Sequence, residues 1–397
     1  MQNPILLVVG TRAEAIKLIP LYLEFKKERI DCLLCATFQH SDLLQQVFDI
    51  FKVDPDFNLN VMIENQDLFY LQNTILIRLK EVYERVRPKL VLVHGDTTTT
   101  MSAALAAFYM HIPVGHVEAG LRTGNMQSPF PEEMNRRLVG QIADYHFAPT
   151  AFSTANLLSE NISREKVFCT GNTVVDSLFW MRKQIHLGNI TIDEILKNQV
   201  LQAKEQHKKI VLLTAHRRES FNGGLLKIFK SVKKFADSHD DVLIFYPMHP
   251  NPNVLRAVQE SKILESKNIY STKSLLYKDL IYLLLNVDFV ATDSGGIQEE
   301  AVSLGKHVLV LRDVTERLEG VWDGSEELVG TNEKLILTSM EKCYHLQNLN
   351  KNESLVYGDG NSCKRIVSIL KTKLNLKIIK NKVNIKVKNI SITQQVI

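Results

Sequence analysis

Val91-Leu92-Val93-His94-Gly95-Asp96-Thr97, Gly115-His116-Val117-Glu118-Ala119-Gly120-Leu121-Arg122-Thr123 and Ser128-Pro129-Phe130-Pro131-Glu132-Glu133-Met134-Asn135-Arg136-Arg137 decide how this chain is read. Each of the first two is a short apolar or β-branched run ending in a carboxylate beside small residues, the pattern of a buried parallel strand meeting its C-terminal loop. The third reads as a helix start, with Pro131 in the first turn and Glu132 and Glu133 behind it. Open α/β sheets bind ligands outside the carboxyl ends of their strands, so three acidic groups delivered there predict proton chemistry in a crevice. The helix dipole alone favours acidic residues in a first turn, which leaves Glu132 and Glu133 a structural reading as well. Asp96 and Glu118, placed where a buried strand opens to solvent, carry more of the argument.

Outward from this stretch, apolar runs alternate with amphipathic ones. Strands are predicted over 4–9, 31–37, 89–93, 112–117, 145–148 and 166–169, then over 209–214, 241–246, 268–271, 287–292 and 307–311. Helices are predicted between them, among others over 14–28, 100–109, 132–143, 150–159, 222–237, 275–284, 297–304 and 362–374. Such alternation implies βαβ units and parallel sheets covered on both faces. The series restarts near Lys208, after a polar stretch over 183–207 that suits a connection between domains. The expected class is α/β, with two doubly wound Rossmann-like domains facing each other across a cleft. The first spans 1–172, with the helix 360–374 packing back on it, and the second spans 173–359. Residues 375–397 read as a loosely ordered basic tail.

Composition fits this reading. The 397 residues are 45% hydrophobic and 23% charged, as in ordinary globular chains. No apolar run approaches the roughly 20 residues that span a bilayer. The N-terminus lacks a basic n-region and leads directly into a strand, so no signal peptide is expected. Five cysteines (Cys32, Cys35, Cys169, Cys343, Cys363) are odd in number and scattered. Cys32 and Cys35 lie in one strand, three residues apart and so on opposite faces, which argues for buried apolar residues and not a metal or redox pair. Reduced cysteines fit a cytoplasmic protein. Nine Lys or Arg and no Asp or Glu follow Asp359, so against a whole-chain charge of +4 the first 359 residues sum to −5. That mildly acidic body offers no broad basic face for nucleic acid.

Other pieces point to an anionic ligand. Gly10-Thr11-Arg12-Ala13-Glu14 follows the first strand and opens a helix, whose exposed amides attract anions. Arg12 adds a bidentate grip there, and Lys17 lies further along the same helix. Asp293-Ser294-Gly295-Gly296 precedes the helix starting Ile297-Gln298-Glu299-Glu300, a grammar suited to a nucleotide diphosphate, with Glu300 placed to accept from ribose hydroxyls. His216, among Arg217 and Arg218 after the first strand of the second half, is suited to holding or protonating an anionic leaving group. The loop Pro247-Met248-His249-Pro250 is rigid and follows another strand. No dinucleotide glycine fingerprint follows the first strand, which argues against NAD.

In this order, these pieces resemble the non-hydrolysing UDP-N-acetylglucosamine 2-epimerases of bacteria over about residues 4–370. The resemblance is carried by His94-Gly95-Asp96-Thr97-Thr98-Thr99-Thr100, Pro113–Thr123, Gly171-Asn172-Thr173, His216-Arg217-Arg218-Glu219, Asp293–Ala301 and Tyr357-Gly358-Asp359-Gly360. It implies two domains of the glycosyltransferase-B type, a homodimer, and no metal or nicotinamide cofactor. It also implies interconversion of UDP-N-acetylglucosamine and UDP-N-acetylmannosamine through a 2-acetamidoglucal, feeding surface polysaccharide. By the family pattern Asp96, Glu118 and Glu132 form the acid–base set and His216 attends the diphosphate. Arg12, Lys17, Arg136, Arg217, Ser294, Gly295, Gly296 and Glu300 bind the substrate.

The departures are local. Ala13 and Leu318 stand where the family usually has proline. In the pocket where many members bind a second UDP-N-acetylglucosamine as activator, Gln39, His40 and Gln66 match, but Asp42 and Asn65 replace longer polar or basic residues. An added acidic group opposes a diphosphate, so weakened or altered activation is expected. The rival readings are a hydrolysing epimerase, a glycosyltransferase of the same fold, and a catalytically silent nucleotide-sugar sensor. Membrane or partner contact through the tail rests on charge alone.

Overall fold

The computed structural model describes residues 3–38, 41–63, 66–346 and 353–376. They fall into two compact units, one comprising residues 1–177 with the segment from Gly358 onward, the other residues 178–357.

The first unit is built on strands β1 (Ile5–Val9), β2 (Cys32–Ala36), β3 (Phe57–Asn58), β4 (Leu90–His94), β5 (Val114–Val117), β6 (Tyr145–Ala148) and β7 (Val167–Cys169). Their order is β3-β2-β1-β4-β5-β6-β7, and every pairing is parallel. All residues of β1 and β4 are buried. That is why these strands read as unbroken apolar runs and not as alternating ones. Helix Ser362–Lys373 packs on helix Arg12–Lys27. Its first amides, those of Ser362 and Cys363, donate to the Asp176 carboxylate at 3.1 and 3.0 Å, and Lys371 reaches Glu28 at 2.8 Å.

The second unit carries β8 (Lys209–Thr214), β9 (Val242–Met248), β10 (Ile269–Lys273), β11 (Phe289–Thr292), β12 (His307–Val310) and β13 (Glu326–Leu328). The order is β10-β9-β8-β11-β12-β13, again parallel throughout. Helix Gly224–Ser238 buries Leu225, Ile228, Phe229, Val232, Phe235 and Ala236, a stripe at three- and four-residue spacing. Each large side chain in such a stripe contributes about 1.5–3 kcal/mol through the apolar area it removes from water.

The polar stretch 183–207, expected as a connection, is largely helical. Asp193 caps helix Glu194–Glu205 by accepting from the Leu196 amide at 2.8 Å, and only Leu196, Val200 and Ala203 are buried. That narrow stripe explains its weak periodicity. β3 and β13, of two and three residues, are edge strands too short for a sequence pattern to reveal. Among the described residues no helix is long and apolar enough to cross a membrane.

Both sheets reverse direction of strand growth at one place, between β1 and β4 in the first and between β8 and β11 in the second. At such a switch point the loops leaving neighbouring strands diverge to opposite faces and open a crevice. Among the described residues, every sequence-predicted site residue but Gln66 lies on or near the elements that leave the carboxyl ends of these sheets.

Candidate active site

In the first unit, Gly10 follows β1 where the chain passes against the helix after β4. A Cβ there would lie 2.1 Å from Thr99 Oγ1 and 2.7 Å from Thr37 Oγ1, so only glycine fits. Thr11 caps helix Arg12–Lys27 in a capping box with Glu14. Glu14, almost wholly buried, does more. One oxygen accepts from the amides of Gly10 (3.0 Å) and Thr11 (2.7 Å), the other from the hydroxyls of Thr97 (2.7 Å) and Thr100 (2.9 Å). It therefore stitches the loop after β1 to the loop after β4, and holds Arg12 and Asp96 on a common frame.

Glu118 leaves β5 with a left-handed backbone, φ 62°, which is uncommon outside glycine and clusters at functional sites. Its carboxylate receives the Lys17 ammonium and the Asn172 amide at 2.8 Å, and His94 Nε2 lies 3.6 Å from the same oxygen. Lys17 and Glu118 are both buried, so this ion pair is shielded from water. Lys17, expected to bind substrate, is thus placed first of all on a carboxylate of the same unit. His94 Nε2 is buried with no hydrogen-bond partner among the described residues.

Asp96 follows β4 and remains about one-quarter exposed. Arg136 grips one of its oxygens from Nε (3.0 Å) and Nη2, while Asn135 donates to its backbone carbonyl at 2.9 Å. Arg136 also reaches Glu133 at 3.2 Å. Glu133 is fully buried, and its oxygens accept from the Thr123 and Gly124 amides at 3.0 and 3.3 Å and from Arg137 at 3.2 Å. Of the two adjacent glutamates, Glu133 is the organiser of its loop. Glu132 is the half-buried first residue of helix Glu132–Ile142, with Pro131 in the N-cap position immediately outside it. His116 Nε2 donates to the Gly95 carbonyl at 2.7 Å, and burial pushes its imidazole down to about 3, so this histidine is a neutral brace for the Gly95–Asp96 turn.

In the second unit, Thr214 and Thr292 end β8 and β11 side by side. The loops just beyond these strand ends meet, because Asp293 accepts from the backbone amides of His216 (2.5 Å) and Arg217 (2.7 Å). His216 is one-third exposed, and its ring stacks on His249 with centroids 5.0 Å apart and planes 8° apart. Burial and the neighbouring His216 lower the His249 pKa. Arg217 Nε is buried with no hydrogen-bond partner among the described residues, which suits an anion-binding role.

Ser294 caps helix Gly295–Ser303 without a side-chain bond to its amides. A Cβ on Gly295 would lie 2.3 Å from Arg317 Nη1, so glycine lets that guanidinium pass beneath the turn. A Cβ on Gly296 would meet nothing within 4 Å, and that face is open for a phosphate. Glu300 is nearly buried one turn in. Arg317 is held by Glu299 (2.8 Å) and Glu316 (2.5 Å), and Arg312 by Glu219 (2.6 Å) and Glu316 (2.9 Å). This buried network fixes the underside of the Ser294-Gly295-Gly296 turn.

A family description, UDP-N-acetylglucosamine 2-epimerase, matches residues 24–371. The chain belongs to that family. The epimerase of this name from Escherichia coli K12 is 44% identical over 372 residues, covering 92% of this chain and 98% of its own. The crystal structure of UDP-GlcNAc 2-epimerase from Neisseria meningitidis bound to UDP-GlcNAc superposes with a TM-score of 0.86 at 42% identity, covering 93% of this chain and all of that one. A glycosyltransferase from Rickettsia africae, 15% identical with a TM-score of 0.59 over 94% of this chain and 99% of its own, shares the fold alone. The architecture is therefore the glycosyltransferase-B type, α/β with two parallel sheets.

The geometry adds residues that the sequence reading did not single out. Glu14 was visible only as the end of a Thr-x-x-Glu capping box, and Asn172 only as part of a motif. Asp293 meets the amides of His216 and Arg217 from 77 and 76 positions away, and Arg317 meets Glu299 from 18, separations that no local pattern records. Of the expected activator residues, Gln39 and His40 lie outside the described residues, as do Asn65 and residues 377–397. Gln66 is described, and accepts from the Ile63 amide at 3.4 Å.

Proposed function

We propose that this epimerase interconverts UDP-N-acetylglucosamine and UDP-N-acetylmannosamine by eliminating UDP and adding it back, without releasing free sugar. The observation that carries the reading is that Asp96 and Glu118, at the ends of adjacent strands, are gripped by separate cations, Arg136 and Lys17. Inversion at C2 needs a proton removed on one face of the sugar and returned on the other, and two independently held carboxylates supply two such positions.

The C2–H bond is too weakly acidic to break unaided. In the elimination a carboxylate takes the proton, the C2–H electrons form the C1=C2 bond of 2-acetamidoglucal, and the C1–O electrons leave with UDP. Re-addition reverses these steps, with the proton delivered to the opposite face. A positioned base contributes on the order of 10²–10⁴ in rate. Asp96, Glu118 and Glu132 form the acid–base set. His216 and Arg217 meet the charge that develops on the departing diphosphate, and Arg12 is a substrate-binding residue of the first unit. The open face at Ser294, Gly295 and Gly296 receives phosphate, and Glu300 the ribose. The enzyme works in the cytoplasm in this reading, and its product supplies mannosamine-type sugars for surface polysaccharide.

The active form is a homodimer in this reading. Helices Leu68–Val86, Thr98–Tyr109 and Glu132–Ile142 pack side by side and leave Ile77, Phe108, Tyr109 and Leu138 exposed, an apolar set suited to a second copy.

Incubation with UDP-N-acetylglucosamine in D₂O, followed by NMR, tests the reaction. Deuterium at C2 of a UDP-linked mannosamine is the expected result. Free N-acetylmannosamine would establish hydrolysis instead, and absence of exchange would remove the epimerase reading.

A further inference from the structure

We propose that Asp293 is a positioning residue that sets the tautomer and ring orientation of His216, so that Nε2 is the nitrogen that takes up a proton and, in the imidazolium whose charge Asp293 offsets, donates it toward the departing diphosphate. The inference deepens the proposed function and rests on it for the identity of that anion. It stands on the geometry of the β8/β11 switch point. Thr292 and Thr214 are register partners, so the residues just beyond them, Asp293 and His216, are brought together by the sheet itself.

Asp293 is fully buried. One of its oxygens is committed to the amides of His216 and Arg217, which locks the plane of the carboxylate. The other oxygen, Oδ1, is 3.4 Å from His216 Nδ1 and is buried with no hydrogen-bond partner among the described residues. A buried carboxylate oxygen with no donor is costly, and the neighbouring ring nitrogen can satisfy it only by carrying a proton. That selects the Nδ1–H tautomer. The two ring nitrogens point apart, so Nε2 faces away from Asp293, and the other side of the ring is fixed by the parallel stack on His249. Such an aspartate–imidazole pairing sets tautomer and orientation without itself touching the reacting atoms. A purely structural Asp293, serving only to cap two amides, would leave the tautomer of His216 unspecified.

Asp293→Asn separates the two roles. Its carbonyl oxygen retains the amide caps, while its NH₂ replaces Oδ1 and favours the opposite, Nε2–H tautomer. The experiment uses the full chain with ¹⁵N-labelled histidine, and assigns His216 by comparison with His216→Gln. The wild type should show His216 protonated at Nδ1, and Asp293→Asn should show it at Nε2. The turnover number for deuterium exchange into UDP-N-acetylglucosamine should fall on the order of 10²-fold or more, while KM moves by less than about threefold. A wild-type His216 protonated at Nε2, or an Asp293→Asn enzyme with full turnover, would overturn the proposal. The wild-type spectrum decides the matter alone if the variant does not fold. A tautomer that switches as expected in a protein that exchanges no C2 hydrogen would uphold the positioning role and overturn the assigned reaction.

Discussion

Arg136 and Asp96 form a two-point contact onto a single carboxylate oxygen, with the same guanidinium anchored on Glu133 at 3.2 Å. Glu133 is itself held by two loop amides and by Arg137. The orientation of Asp96 is therefore inherited from a chain of buried groups reaching back to the Thr123–Gly124 turn. Arg136, expected from the sequence to bind substrate, is spent on a carboxylate of its own unit.

Replacing it tests this. Arg136→Lys keeps the charge but cannot grip Asp96 and Glu133 from one planar fork. A displacement of the carboxylate by about 1 Å costs on the order of 10² in rate. Deuterium exchange at C2 should fall by that factor while UDP affinity, measured by calorimetry, stays unchanged. Loss of UDP affinity would instead place Arg136 on the diphosphate.

The Lys17–Glu118 pair is buried, so removing one member leaves an uncompensated charge. Lys17→Met and Glu118→Gln should each destabilise the first unit by about 3–5 kcal/mol. The double variant should lose clearly less than the sum, as a urea-unfolding double-mutant cycle would show.

Glu14 accepts four hydrogen bonds, and a glutamine in its place turns a donor toward two of those donors. Each unsatisfied buried group costs about 1–3 kcal/mol. For Glu14→Gln a fall in melting temperature on the order of 5–10 °C is expected by calorimetry, with a raised KM as the loop bearing Arg12 loosens from the loop bearing Asp96.

Acid stability should depend on His116 and His146, whose burial lowers their pKa values to about 3 and about 4. Between these values and the ordinary 6.5 the unfolded chain binds more protons than the folded one. Stability is therefore full above pH 6.5 and is lost as pH falls below it. His146→Leu should flatten that decline in urea titrations at pH 7 and pH 5.

Glu326 has the opposite sign. Burial raises its pKa from 4.5 to about 8, so between these values the folded state holds the extra proton. Its neutral form is no burden below pH 4.5, and stability of the second unit drains away as pH rises toward 8. Glu326→Gln retains an acceptor for the Tyr357 hydroxyl, now 3.2 Å away. Relative to wild type, it should gain on the order of 3 kcal/mol between pH 5 and pH 8 in urea unfolding.

Much of this was legible in the residues. Strands such as β1, β4, β8 and β11 show as apolar runs because a parallel strand covered on both faces must be apolar throughout. Asp96, Glu118, His216 and the Ser294-Gly295-Gly296 turn could be named because each sits at a strand end, and strand ends are local features. The helix Glu194–Glu205 escaped because its buried stripe is only three residues wide, and β3 and β13 escaped because edge strands of two or three residues carry no period.

By itself, then, the sequence determined the alternation of strand and helix, the restart near Lys208 and the chemistry available at each strand end. Tertiary structure alone decided which groups would be spent on one another: Glu14 on the threonines after β4, Lys17 on Glu118, Arg136 on Asp96, Asp293 on His216. The reason is the order of the strands. Placing β1 beside β4 and β8 beside β11 joins residues about 80 positions apart, and no local pattern of side chains records which strand will become the neighbour of which.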